Sequence, residues 1–191
     1  MHLEGNSISR ERLIQAGIQE LEQNGPASFS LRRVAQSCGV SCAAPYKHFK
    51  DKQALLLAIA CEYDAQWSER QKRAVLESNS ADPDVMLKAV CREYFHFLLD
   101  NPNYCMLATQ TDTATSKWHL QHLLGESSPT RRLINEYCAK YGMPAEISNA
   151  KIYLLRGLLF GVAMMVGTGE LQLTPETIDP LYHEMESVFR S

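Results

Sequence analysis

Residues 29–52 read FSLRRVAQSCGVSCAAPYKHFKDK. Leu31, Val34 and Ala35 recur at helical spacing, with Arg32, Arg33, Gln36 and Ser37 between them. Ser30 is placed to cap this first helix through its hydroxyl. Gly39 ends it, because glycine reaches positive φ at least cost. Ser41 then stands at the start of a second helix, Cys42 to Phe49. Asp51 is placed to cap a third helix that starts at Lys52. Two short helices joined by a Gly-containing turn make a helix-turn-helix, whose second member can enter a DNA major groove.

The surrounding charge agrees with that reading. The chain has 19 Lys and Arg against 22 Asp and Glu, for a net charge of −3. Between Ser28 and Leu56, however, Arg32, Arg33, Lys47, Lys50 and Lys52 face one acid, Asp51, a surplus of four. The rest of the chain therefore carries a deficit of seven. A basic head on an acidic body implies that only the head meets a polyanion.

Ala35, Gly39, Val40, Ser41, Tyr46, His48, Phe49, Lys50, Asp51 and Lys52 spell A-x3-G-V-S-x4-Y-x-H-F-x-D-K. This pattern resembles the DNA-binding signature of the tetracycline-repressor (TetR) family of bacterial regulators. The resemblance runs from Arg12 to Leu56. It implies that Tyr46, His48 and Lys52 contact phosphates, and that Lys47 contacts backbone or base. It also implies base reading by Cys42, Ala43, Ala44 and Arg32, with Ser30, Arg33 and Ser41 completing the DNA-facing set. Two departures stand out: the family usually has Ala where Gly17 stands, and more often Leu where Pro45 stands.

Outside the head the pattern is helical throughout, so the expected fold is all-α. Helices are expected over Ser7 to Asn24, Lys52 to Leu76, Pro83 to Asp100 and Asn103 to Gln110. Further helical segments follow at Ser116 to Leu124, from Ser128-Pro129 to Tyr141, at Ile147 to Val166 and at Leu181 to Arg190. Thr174-Pro175 and Asp179-Pro180 are both start signals, so a false first turn is expected before Leu181. The expected division is a DNA-binding domain over residues 1–52 and an effector-binding and dimerisation domain over residues 53–191.

A single head binds DNA weakly, whereas two heads on a two-fold axis read paired half-sites. A homodimer on double-stranded DNA is therefore expected. The dimer surface is assigned to Gly157, Phe160, Gly161, Leu181, Met185 and Phe189. An apolar pocket for a small-molecule effector is assigned to Trp67, Phe95, Cys105, Met106, Trp118, His119, His122, Leu155 and Met164. The expected function is a ligand-responsive regulator, a repressor released from a palindromic operator by a small apolar effector. The alternative is a thiol or metal sensor, using Cys42, Cys105 or the His119/His122 pair.

Other classes find little support. There is no Gly-rich phosphate loop, nucleophile elbow or zinc-protease motif, so no enzyme and no cofactor are expected. The six cysteines are scattered without zinc-site spacing, as for free thiols in a reducing cytoplasm. The start MHLEGNSIS has no signal-peptide core, and the apolar run Ile152 to Val166 contains Arg156. A cytoplasmic protein without a membrane span is expected.

Overall fold

The computed structural model describes residues 8–109, 128–144 and 146–190, and these are helices joined by short turns. The elements are α1 (Arg10–Ser28), α2 (Leu31–Ser37), a 3-10 turn (Pro45–Lys47), α3 (Lys52–Glu77), α4 (Pro83–Asp100), α5 (Pro102–Thr109), α6 (Pro129–Lys140), α7 (Ile147–Gly167) and α8 (Pro175–Arg190). The expected segment Ser116 to Leu124 lies outside the described residues.

Most starts follow from caps that the sequence carries. The Ser9 hydroxyl accepts from the Arg12 N–H at 3.2 Å, and the Asp51 carboxylate accepts from the Ala54 N–H at 2.8 Å. Asp82 does the same for Asp84 at 3.0 Å ahead of α4. Gly25, at φ 66°, breaks α1 into a long helix and a final turn. α2 ends in a Schellman arrangement: the Val40 N–H reaches the Ala35 carbonyl, and the Gly39 N–H reaches Gln36, both at 3.0 Å. Gly39 supplies the positive φ, 68°, that this closure needs.

Two expectations about helix starts and ends are corrected. Cys42 to Phe49 is not an α-helix. Only Pro45–Lys47 is wound, as a 3-10 turn, with bonds from the Lys47 N–H to Ala44 at 3.1 Å and the His48 N–H to Pro45 at 3.0 Å. Pro45 has no N–H to return to Ser41, and its ring crowds the preceding turn, so the tighter winding takes over. The second correction concerns α8, which is continuous from Pro175 through Pro180 rather than starting at Leu181. Its first turn is closed by the Ile178 N–H on the Thr174 carbonyl at 2.9 Å. Contacts further along hold the whole helix against α4, with Tyr182 edge-on to Phe95 at 6.0 Å and Glu186 bonded to Arg92 at 3.1 Å.

α1, α2 and α3 form the head; α4, α6 and α7 pack on one another in the body. The two share one apolar core. Leu13, Ile14, Leu21, Phe29, Val34 and Phe49 close around Leu55, Leu56 and Ile59 of α3. Further along α3, Tyr63, Trp67 and Ala74 enter the body core with Leu87, Phe97, Tyr137 and Leu159. α5 lies beneath the head and touches α1, α3, α4 and α7. Ile152 to Val166 is part of a 21-residue helix that is long and apolar enough to cross a bilayer by length and composition. Its inward face, Lys151, Ile152, Leu155, Leu159, Phe160 and Ala163, is buried against protein.

Gly17 of α1 faces α3 so closely that a Cβ there would stand 2.8 Å from Ile59 Cδ1. Gly17→Ala is expected to gain helix propensity of about 1 kcal/mol but to lose most of it to this clash. Ile59→Val removes the clashing carbon. A urea-denaturation double-mutant cycle is expected to show the pair favourably coupled by about 1 kcal/mol.

Candidate nucleic-acid interface and ligand cavity

The head presents its polar side chains outward from a buried footing. Pro45 and Phe49 are buried, and the Arg10 guanidinium lies 5.2 Å from the Phe49 ring centre. Between these anchors Tyr46, Lys47 and His48 are exposed, Tyr46 by 58%. Arg32, Ser41, Cys42 and Ala43 are exposed as well, and Ala44 is half-buried.

Three residues of the expected DNA-facing set have other partners. The Arg33 Nε donates to Glu20 at 2.8 Å, and its outer nitrogen also meets the Ser28 carbonyl. Glu20 is 6% exposed and also accepts from the Ser30 N–H at 3.2 Å and from Asn24 at 3.1 Å. This carboxylate pins α2 to α1, and the ion pair raises the Arg33 pKa. The Ser30 hydroxyl does not cap α2; Ser30 is held by its own N–H on Glu20. Lys52 donates to the Pro26 carbonyl at 3.2 Å, with its ammonium 5.8 Å from the Phe29 ring centre.

In the body the expected ligand residues divide. Trp67 and Leu155 line a small cavity of about 30 Å³ together with Tyr94, Thr130, Ile134 and Arg156. Cys105, Met106 and Met164 line a second, near the α5–α7 contact, of about 250 Å³. Phe95 lines neither and is 1% exposed. Trp118, His119 and His122 lie outside the described residues. Sequence reading missed Tyr94, Thr130 and Arg156, although a lone arginine in the most apolar run was the signal available.

A buried polar chain leads away from the first cavity. Tyr94 packs on Trp67, with ring centres 4.5 Å apart, and its hydroxyl is hydrogen-bonded to Tyr104. Tyr104, on α5, donates to Asp64 Oδ1 on α3 at 2.7 Å. Burial pushes both phenols up, and at Tyr104 the nearby Asp64 charge adds to the rise. Both tyrosines therefore stay protonated and act as donors.

The thiols suit packing better than reaction. Cys38, Cys91, Cys105 and Cys138 are buried. Burial pushes the Cys105 thiol up to about 11 and raises Cys91 as well. Among the described residues no group of three His, Cys, Asp or Glu side chains is placed to hold a metal.

The outward face of α7 is apolar: Tyr153, Leu154, Leu158, Met164 and Met165 are exposed, with Gly157 beside them. Of the expected dimer residues, Gly157 is exposed and Gly161 and Leu181 are half-buried. Phe160 and Met185, each 6% exposed, point into their own protomer. The Phe189 side chain is outside what is described.

Residues 13–59 match the family of bacterial regulatory proteins described as tetR family. The match covers the head and the first turns of α3, so the likeness to this family is carried by the head. The chain is 28% identical over 174 residues to the HTH-type transcriptional regulator YerO of Bacillus subtilis (strain 168), covering 88% of this chain. It spans 60% of that relative's length. A solved Rhodococcus sp. RHA1 protein with unknown function is 25% identical, with a TM-score of 0.73 over 98% of this chain and 97% of that one. The TetR-like fold also matches FadR from Bacillus subtilis, solved with stearoyl-CoA, at 17% identity and a TM-score of 0.74. That match covers 96% of this chain and 98% of FadR.

Glu20→Gln keeps the shape but removes the charge that Arg33 and the Ser30 N–H share. It is expected to destabilise the protein by about 1–3 kcal/mol, read as a lower urea midpoint. The estimate stays well below that for a fully buried pair because Arg33 is 45% exposed.

Proposed function

We propose that this protein is a TetR-family regulator: a cytoplasmic, homodimeric repressor released from a palindromic operator by a small effector. The observation that carries the reading is one helix, α3, with its first turns in the head core and its later turns in the body core, where Trp67 lines the small cavity. On this reading Tyr46, Lys47 and His48 meet phosphates, and Arg32 and the Cys42–Ala44 segment face the bases. Arg33 and Lys52 hold the motif together from within, and Lys52 also adds positive charge beside the start of α3. The domain boundary then falls within α3 near Ile59, one to two turns beyond residue 52.

Dimerisation is assigned to the exposed α7 face. Gly157 and Gly161 let a second copy approach closely, and Leu154, Leu158 and Met165 supply apolar area. The effector must bind the two head spacings unequally, and a coupling of about 1–3 kcal/mol is typical. The stearoyl-CoA of the FadR structure supports a body that accepts an apolar ligand.

Capture of genomic fragments at moderate salt tests the DNA-binding reading. Lys47→Ala is expected to weaken all sequences alike and flatten the salt dependence by about one unit of slope. Arg32→Ala is expected to relax preference at one base position, at a cost of about 1–3 kcal/mol. Leu154→Glu is expected to yield monomers in sedimentation analysis and to lose operator binding with them. Equal behaviour of the Lys47 and Arg32 variants overturns the division of roles.

The route from cavity to head is assigned to Tyr94, Tyr104 and Asp64. Tyr104→Phe removes the donor to Asp64 and leaves the cavity lining untouched. It is expected to cut effector-induced operator release by about fivefold or more while effector affinity changes little. Anisotropy with labelled operator, with and without effector, measures the first; calorimetry measures the second.

A further inference from the structure

The phosphate-facing groups assigned above all lie at one end of the recognition segment. Tyr46, Lys47 and His48 are exposed just ahead of the buried Phe49. The other end, Gly39 to Ala44, carries no charged side chain. A segment seated in the major groove lies between two phosphate strands about 12 Å apart, so donors and cations are useful on both flanks. The fold brings a cation to the uncharged end from α1.

α1 meets both ends of the segment through its first turn. At the far end the Arg10 guanidinium lies 5.2 Å from the Phe49 ring centre. Glu11 leans the same way: a backbone N–H and the Ser9 hydroxyl hold its carboxyl below the usual range, and the Arg10 and His48 charges add to this. At the near end Arg12 Nη2 donates to the Cys38 carbonyl at 3.4 Å. Cys38 closes α2, and Cys42 follows four residues later. Four residues of chain span at most about 14 Å, so this guanidinium stands beside the start of the segment.

The bond to Cys38 has its own logic. α2 carries no basic residue in its last turn, and the carbonyl end of a helix favours a cation. Arg12 supplies one from the neighbouring helix. That contact orients the guanidinium and takes one of its five donors. Arg12 is exposed, and among the described residues no carboxylate pairs with it. Arg33 differs, since Glu20 holds its guanidinium.

We propose that Arg12 contacts a DNA phosphate at the end of the recognition segment opposite Tyr46, Lys47 and His48, so that each head grips both strands bordering its groove. This rests on the DNA-binding reading of the head and adds α1 to the interface.

Anisotropy of the full-length protein on a labelled duplex recovered from the genomic capture, and on a random-sequence duplex, tests it across a KCl series. Arg12→Gln keeps a donor for the Cys38 carbonyl and removes the charge. It is expected to weaken both duplexes alike, by about fivefold or more at about 0.1 M salt, and to flatten the salt dependence by about one unit of slope per head. Arg12→Lys is expected to keep the wild-type slope. Arg73→Ala removes an exposed arginine from the body end of α3 and is expected to change neither. Arg12→Met serves as the neutral variant should the glutamine variant fold poorly. Weaker binding at an unchanged slope makes Arg12 a brace of the turn alone and overturns the proposal, as does an equal loss of slope in Arg73→Ala. A change of slope in Lys47→Ala with none in Arg12→Gln overturns the contact and leaves the DNA-binding reading standing. Wild-type protein that binds no duplex overturns both.

Discussion

Everything in this fold is constrained by the double membership of α3. Its first turns bury Leu55, Leu56 and Ile59 against the head, and later turns bury Tyr63 and Trp67 against α4 and α5. Such a helix transmits displacement poorly to solvent and well to its neighbours, because close-packed interiors do not deform continuously. Asp64, midway along it, adds a directional contact. A carboxylate that is 5% exposed must keep its hydrogen bonds, so Tyr104 and α5 are expected to follow α3 when it moves.

α5 occupies the matching position from the other side. It is short, eight residues, and touches the head through α1 as well as α3. Local helix stability in so short an element is slight, so its conformation is set by what packs on it. Tyr104 is the residue that fastens it, through Asp64 on one side and the Phe97 and Phe160 rings on the other, at 5.2 and 6.4 Å.

The sequence revealed the fold class and most helix starts, because caps such as Asp51, Asp82 and Ser128 act within four residues of chain. It revealed the head for the same reason, since the turn at Gly39 and the charges beyond it are local. It misread the winding of residues 42–49, where one proline outweighed a helical pattern, and the start of α8, where long-range contacts to α4 held a turn that local signals left doubtful. The interior of the body was less legible. Which side of α7 faces inward depends on partners far away in the chain, so Phe160 and Met185 were assigned outward and Arg156 was passed over. Arg33 was misplaced likewise, since its acid partner lies thirteen residues away on another helix.

The two faces of α7 let the proposed ligand site and the proposed dimer surface share one helix. Ile152, Leu155 and Leu159 face the cavity, while Leu154, Gly157 and Leu158 face outward. At 3.6 residues per turn these sets lie on opposite sides, and Arg156 falls between them. A charge at that border is half-buried, between the cavity and the surface. The alternative thiol-sensing reading has no comparable arrangement, because the cavity cysteines are buried and their thiols are raised rather than lowered.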